Sequence, residues 1–510
     1  MKKMTLKMRL LSGLVIVSIA LAAGSCAQGA DCDEVFSAGV TNTQLESPAV
    51  EDVQFNVGTG ELSVSWPTMW GAGGYLVSAT EITDPENPNV VMEETTIDGT
   101  STSFAVEDDK RYLVSIKTLG NEKLNNTGAE SATEIPYFVG VNGIEVPADT
   151  PDLGAFINEQ LAANAEAWEA ERKADFNFEI AFDLAPGVEY QFATAVDFGL
   201  FPTRIRSLFP DRPAFITYGN EAKLTTQAGL RLQNLRIDAS LLSGNGLIEL
   251  SSSPSDEIKD ANLIYMGGTT MIGAKTYKEL GAGKSAYIIE KPIEFKNVWV
   301  KDLPKSTVYS NAAYGVTDLR FTNSIIQTAN IGKPFIYLQK GNQHMKNFTI
   351  EQTTIYDSGT FKNFILALGN QNTTKVFGSV GSGGNWTVEE STFYLPNNDK
   401  KGGDRVRDVA SANNLINSIF VNIRELAGSN GKLFSKPAVC TNNTVYHFND
   451  SYKLPEYDAD GGNIDPGFTA QPALDLHNVE NGGINLTPTG NALTDRRGDP
   501  RWLPAVAAEE

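Results

Sequence analysis

The chain has 510 residues, enough for two or three domains or one extended solenoid, and its 62 Asp/Glu against 41 Lys/Arg give a net charge of −21. Nucleic-acid binders present basic faces, so that class is disfavoured. Three cysteines without paired spacing supply neither a disulfide framework nor a zinc motif.

Lys2, Lys3, Lys7 and Arg9 precede an apolar run at residues 10–23. The run is short for a membrane span and ends in small residues, which is the layout of a secretory signal peptide over residues 1–25. Ala23-Gly24-Ser25-Cys26 resembles a bacterial lipobox, with Cys26 as the lipidated first residue of the mature chain. Asp31, Asp33 and Glu34 resemble the acidic export tag of surface lipoproteins in Gram-negative glycan-degrading bacteria. The resemblance implies an outer-membrane, cell-surface location, with secretion or a periplasmic home as the alternative; two or more acyl chains on Cys26 would be the anchor. Residues 26–48, small and polar, read as a tether.

From residue 49 to 138 the grammar is that of a small β-sandwich: Leu62-Ser-Val64-Ser-Trp66, Gly74-Tyr-Leu-Val-Ser-Ala79, Phe104-Ala-Val106 and Tyr112-Leu-Val-Ser-Ile-Lys-Thr-Leu119, separated by Gly, Asp and Asn turns. The Trp on the second strand and the Tyr opening the long one resemble a fibronectin type III domain with its tyrosine corner, which makes Trp66 and Tyr112 core residues. Trp70 is more exposed in this reading, with packing over the open sheet edge as the favoured role.

Residues 139–175 read as a linker and one helix. Thr150-Pro151-Asp152 gives a cap, a first-turn proline and a carboxylate at the positive end. Leu153, Phe156, Ile157, Leu161 and Trp168 form one apolar stripe, as expected of a helix that covers the open end of a stack.

A pattern then recurs: apolar, any, apolar, any, Asn, small or apolar, any, apolar. Its centres are Asn234, Asn262, Asn297, Asn323, Gln352, Glu390, Asn417 and Asn442. Spacings of 25–38 residues signal stacked supersecondary units. Apolar positions four and two before the centre lie on one strand face, but the next inward positions are one and three after it. Such a parity slip requires a bend, and Asn tolerates the left-handed backbone a tight bend needs. Phe215-Ile-Thr, Leu247–Leu250, Tyr287–Ile289, Phe335–Leu338 and Phe364–Leu368 would supply the third side of each coil, with insertions at residues 266–285 and 369–385. The strand-bend-strand unit with its asparagine column resembles the right-handed parallel β-helix of the pectate-lyase-like superfamily, over roughly residues 176–504. So does Phe178-Glu-Ile180-Ala-Phe182-Asp-Leu184-Ala-Pro-Gly187-Val-Glu-Tyr190 as a first coil. The fold class implied is all-β: a small fibronectin-III-like sandwich, a cap helix and a right-handed parallel β-helix solenoid.

Residues beyond Asn442 resemble the closing segment of bacterial β-helix proteins, through Gly462-Asn463-Ile-Asp465-Pro-Gly-Phe468 and Arg497-Gly-Asp-Pro-Arg-Trp502. Asp458, Asp460, Asn463 and Asp465 suggest a calcium loop, but the bidentate Glu such loops use is absent, which favours a closing turn and no cofactor. Cys440 reads as a small core residue.

Each known chemistry of the superfamily this chain resembles needs particular side chains. Arg204-Ile-Arg206 with Pro210-Asp-Arg212-Pro213 lacks the Arg-x-Pro-x-x-Arg spacing of pectate lyases, and His344, His447 and His477 are the only histidines, none between glycines as in polygalacturonases. A pectin methylesterase's Gln-Asp signature is missing too. By contrast, residues 259–376 hold 14 Lys/Arg against 8 Asp/Glu, a net +6 on an acidic chain. Positions three and one before the bend and two after it point outward, and they include Arg231, Lys259, Lys296, Arg320 and Trp299, with Lys301 beside the last. An exposed aromatic flanked by cations suits sugar stacking and uronate pairing, and cover by a loop or by the fibronectin-like domain is the alternative for Trp299, since Ile264, Ile325 and Ile419 share its column. The chain resembles β-helix lipoproteins of polysaccharide-utilisation systems. That implies a non-catalytic binder of polysaccharide, in particular an acidic pectin-type glycan, working beside an outer-membrane glycan importer. The alternatives are a polysaccharide lyase of unrecognised family and an adhesive or scaffold protein without a sugar site.

Overall fold

The computed structural model describes residues 38–505 apart from 176, 251–286, 290, 313, 330–333, 339–343, 359–365, 369–383, 398–402, 405–411, 424–426, 429–433, 436–438 and 449–463. The chain divides into two units, Met1–Val141 and Asn142–Glu510.

In the first unit, Gln54–Val57, Glu61–Ser65 and Ser101–Ala105 form one antiparallel sheet, and Asn89–Ile97, Tyr75–Glu81, Lys110–Thr118 and Thr133–Val139 form another in that order. Alternation places Leu62, Val64, Val77, Val114 and Ile116 in the shared core, each with no exposed surface. Trp66 and Tyr112 lie there as the sequence implies, and the Tyr112 hydroxyl accepts the backbone N–H of Glu107 at 2.8 Å, a corner bond. The unit reaches further back than residue 49. Leu45 N donates to the Thr127 carbonyl at 3.0 Å and Asn126 Nδ2 to that of Val40 at 3.0 Å, so the end of the expected tether is fastened to this unit.

The second unit is a parallel β-helix. Strands of successive coils pair in parallel register from Ile144–Val146 to Thr444–Tyr446, around one continuous apolar core. The bend is where the parity slip placed it. Asn234, Asn297, Asn323, Gln352, Glu390, Asn417 and Asn442 all have φ between 46 and 56°. A left-handed backbone costs a residue with a β-carbon about 1–2 kcal/mol, least for Asn, and a hydrogen bond of about 1 kcal/mol between neighbouring corners offsets much of it. Asn297 Nδ2 donates to Asn234 Oδ1 at 3.0 Å, Gln352 Nε2 to Glu390 Oε2 at 2.8 Å, and Asn442 Nδ2 to Asn417 Oδ1 at 2.8 Å.

A second ladder runs inside the corner. Ser324, Thr353, Ser391 and Ser418, each one residue after a bend, are fully buried. Backbone N–H groups donate up the stack: Val298 to Ser324 Oγ at 3.1 Å, Thr353 to Ser391 Oγ at 3.2 Å, Ser418 to Asn443 Oδ1 at 3.0 Å. Buried hydroxyls are thereby satisfied at no cost to the apolar bore, where Phe295 and Phe321 stack at 4.7 Å.

Four expectations about the solenoid are corrected. The Asn262 repeat is not a coil between its neighbours: strand Leu230–Asp238 pairs directly with Ile293–Leu303, Leu232 opposite Phe295 and Arg236 opposite Trp299. Residue 262 itself lies outside the described residues. Phe215 and Tyr287–Ile289 belong to the bent sheet, while the third side is made by Val196–Asp197, Leu224–Thr226, Gly246–Leu250, Ser306–Ser310, Ile336–Leu338, Leu366–Leu368 and Gly403–Asp404. The expected linker contains a strand, Ile144–Val146, that pairs with Ile180–Leu184. Helix α1, Leu153–Ala174, is capped by Asp152 rather than Thr150, because the Asp152 carboxylate accepts the N–H groups of Gly154, Ala193 and Thr194 and so ties the helix to the first coil. Its stripe covers the end of the bore as expected, with Leu153 and Ile157 buried and Phe156, Leu161 and Trp168 packed beside them.

Candidate functional site

The bend gives each coil two outward faces of opposite character. After the bend the outward columns mix apolar and aromatic residues with threonines: Trp299, Ile325, Thr354, Thr392 and Ile419 in one, Tyr356, Tyr394 and Val421 in the next. Exposed, such columns would be a large apolar patch. The C-terminal segment covers them with Leu474, Ile484, Leu486 and Trp502. Polar anchors fix its course. Leu474 N donates to Gln327 Oε1 at 2.9 Å and Tyr356 Oη to the Pro472 carbonyl at 3.3 Å, while Arg497 Nε donates to Asn442 Oδ1 at 2.8 Å and Arg501 Nη2 to Asn323 Oδ1 at 2.9 Å. At Gly498 (φ 94°) the approach is so close that a β-carbon would stand 2.7 Å from Thr392 Oγ1. The closing segment therefore seals the side of the stack, using the amide corner as an anchor.

Before the bend the outward face is polar. In register order one column is Glu294, Arg320, Thr349, Thr387 and Asn414; beside it run Lys296, Thr322, Glu351, Glu389 and Ile416. Asp318, Asn347 and Asn385 form a third. Lys296, Glu351 and Asn385 are exposed, and all the others except Glu294 are half-buried. Hydrogen bonds link rungs: Asn347 Nδ2 to Asp318 Oδ1 at 2.9 Å, Asn385 N to Asn347 Oδ1 at 3.1 Å, Asn414 Nδ2 to Thr387 Oγ1 at 3.2 Å. With neighbouring strands about 4.8 Å apart, five rungs make a hydrogen-bonding grid about 20 Å long.

The grid is charged unevenly. Lys296 and Arg320 stand toward one end, the latter 3.3 Å from Asp318 with its side chain 43% exposed. Glu351 and Glu389 face each other in register further along. Burial, then the charges of Glu351 and Glu390, push the Glu389 carboxyl above the ordinary glutamate range. Below the grid, the outer face of the first coils is a buried ion network: Glu179 accepts Arg204 Nε at 2.8 Å and lies 3.7 Å from Arg231, which is 3.8 Å from Glu294. Such groups hold one another in place, and removing one leaves a buried charge at a cost of about 3–5 kcal/mol.

The structure separates the residues the sequence grouped. Arg231, Lys296 and Arg320 share the face before the bend, while Trp299 and Lys301 lie after it. Trp299 is not a solvent-facing platform: it is 8% exposed, under the C-terminal segment, with the Arg236 guanidinium 3.9 Å over its ring. Loop cover, the alternative reading, is what is found. Lys301 pairs with Asp238 at 3.5 Å, and Arg231 is spent in the ion network. Lys259 and Cys26 lie outside the described residues, as do Asp458, Asp460 and Asn463 of the calcium-loop reading; Asp465 Oδ1 accepts the N–H of Gly467 at 2.8 Å. Among the described residues no cluster of three or more His, Cys, Asp or Glu is placed to hold a metal.

Sequence reasoning missed the amide and hydroxyl columns at Thr349, Asn347, Asn385, Thr387 and Asn414. Their signal was present, since each sits an odd number of residues before a bend. It also missed the stacked pair Tyr309 and Tyr337 on the third side, 5.2 Å apart and 19° from parallel. In the first unit Trp70 is 48% exposed, not packed as its favoured role required.

Residues 1–187 match a family model described as a domain of unknown function (DUF4992), and residues 188–358 match a second described as domain of unknown function (DUF4957). Among solved structures the chain is similar to pectate lyase Pel3 from Pectobacterium carotovorum, at 13% identity over 78% of this chain and 89% of that one, with a TM-score of 0.20. It is similar also to pectate lyase PelI from Erwinia chrysanthemi in complex with tetragalacturonic acid, at 12% identity over 78% and 88% of the two chains, with a TM-score of 0.20. No curated protein matches it.

Proposed function

We propose that this chain binds polysaccharide without cleaving it, along the polar face before the bend. The observation that carries the proposal is the contrast between the two faces: one sealed by the chain itself, the other a five-rung grid of hydroxyls, amides and charges. An extended polyhydroxylated chain laid along the axis gains many weak hydrogen bonds, none of which suffices alone. The charge pattern refines the ligand. Lys296 and Arg320 favour carboxylates, but Glu351 and Glu389 stand a rung or two away and oppose them. A glycan whose carboxylates are spaced out, such as an esterified polyuronate, fits better than a fully charged one. In this reading Cys26 carries the lipid anchor at the cell surface, and the bound glycan passes to an outer-membrane importer.

The lyase alternative has one feature in its favour. Burial pushes the Lys291 ammonium below the ordinary lysine range, against the opposing charge of Glu179 and with help from Arg231 and Arg204. A lysine so shifted is a better base.

Affinity electrophoresis against neutral glycan, esterified pectin and polygalacturonate tests the proposal. Retardation strongest with esterified pectin, and weakened in a Lys296→Ala/Asn385→Ala variant that still melts normally, is the expected result. Ultraviolet absorbance from a new double bond would make the protein a lyase, and mobility unchanged by every glycan would remove sugar binding.

A further inference from the structure

At the seam between the coils and the C-terminal segment two guanidinium groups meet one carboxylate: Arg236 from the strand Leu230–Asp238, and Arg501 with Asp499 from the segment. Arg236 is 7% exposed, and its Nη1 donates to the Leu235 and Asn297 carbonyls, each at 3.2 Å, while its flat face lies on the Trp299 ring. Those partners are neutral, and among the described residues no carboxylate stands within 4.0 Å of it. Arg501, its side chain 11% exposed, donates from Nε to Asp499 Oδ1 at 3.0 Å, and from Nη2 to Asn323 Oδ1 at 2.9 Å and the Gln352 carbonyl at 3.1 Å. Its Nη1 is buried and has no hydrogen-bond partner among the described residues. Asp499 is already engaged by Arg501 and by the Thr354 hydroxyl.

Position brings the two cations together. Arg236 sits on the corner carbonyl of Asn297 and Arg501 on the corner amide of Asn323, the next rung of the stack. Like charges on neighbouring rungs in a partly buried setting repel each other with little screening. Burial and then the Arg501 charge push the Arg236 guanidinium down to about 9, which leaves it charged at neutral pH. A water could satisfy the idle Nη1 hydrogens but would leave the excess charge buried.

We propose that a small inorganic monoanion, of chloride size and charge, binds at the Arg236–Arg501 pair, accepting from Arg501 Nη1 and balancing the charge that Asp499 leaves over. Burial of both side chains excludes a polymer, so this site is independent of the glycan face and stands or falls separately from it.

Two measurements on the full chain test this. Crystals soaked in sodium bromide should show an anomalous peak at Arg501 Nη1; a solvent peak there without anomalous signal overturns the proposal. Thermal melting in sodium chloride should exceed that in sodium gluconate of equal ionic strength and saturate with chloride. The difference should disappear in Arg236→Gln, and should persist in Lys296→Ala, which removes a surface cation. Equal melting in the two salts for the wild type also overturns it. Should Arg236→Gln fail to fold, the bromide soak of the wild type decides alone.

Discussion

Trp502 donates its indole N–H to the Thr354 hydroxyl at 2.7 Å across 148 residues of sequence, and that hydroxyl donates in turn to Asp499 Oδ2 at 2.8 Å. One threonine on the outer face of a mid-stack coil thus anchors the last turn of the described chain. The seal over this face depends on a few such contacts, because the segment it fastens has little regular structure of its own.

Replacing Trp502 with Ala removes a 5% exposed indole and its hydrogen bond, a loss of about 3–5 kcal/mol. The coils beneath keep their own ladders, so the loss falls on the segment. Limited proteolysis should cut the variant within residues 464–505 while the solenoid stays intact, whereas the wild type resists. Cleavage scattered through the coils at the same rate would mean that the segment and the stack unfold as one.

Asp499 titrates differently in the folded and unfolded chain. Burial, working against Arg501 and the Thr354 hydroxyl, raises its carboxyl from the ordinary 3.8 to about 6. A raised folded value means the proton is held more tightly in the folded state. The associated stability is complete below about pH 4, is lost as pH climbs through about 6, and changes no further above that. The gap corresponds to roughly 3 kcal/mol as an upper bound. Denaturant unfolding of wild type and Asp499→Asn between pH 4 and 7 should show the wild type losing stability relative to the variant as pH rises. Parallel curves would show that Asp499 holds one protonation state throughout.

The corner was legible in the sequence because two independent signals coincide there: inward parity shifts by one, and the residue at the shift tolerates left-handed backbone. Even Gln352 and Glu390 were found, since parity alone identified them. Asn262 shows the limit. Its flanking pattern is as good as its neighbours', but a rung is defined by what lies above and below it, and Asn234 bonds directly to Asn297. Trp299 failed for a related reason. Facing away from the bore is a local property, whereas being open to water depends on a segment some 200 residues away in the chain. The clue available was collective: Ile325, Tyr356, Tyr394 and Ile419 repeat the apolar outward choice, and Leu474, Ile484, Leu486 and Trp502 supply matching apolar surface. The polar grid is harder to see, because uncharged polar residues facing outward are what any solvated strand face shows.

The least suited residue in the corner ladder is Glu390, a charged side chain held at φ 46° where most coils use Asn. It keeps one ladder bond, from Gln352 Nε2, and its charge adds to the burden on Glu389, already raised by burial and by Glu351 across the strand pair. Asn at this position relaxes the left-handed backbone and removes that repulsion. It could still accept from the longer Gln352, as the Asn297 to Asn234 bond shows that two Asn side chains bridge one rung. Glu390→Asn should therefore stabilise the protein by about 0.5–1 kcal/mol in chemical denaturation. It should also return the Glu389 carboxyl toward the ordinary range in a carboxyl carbon NMR titration. A variant less stable than wild type would mean that the Gln352 bond outweighs backbone strain and repulsion together, so that the glutamate is the better ladder residue where its neighbour is Gln.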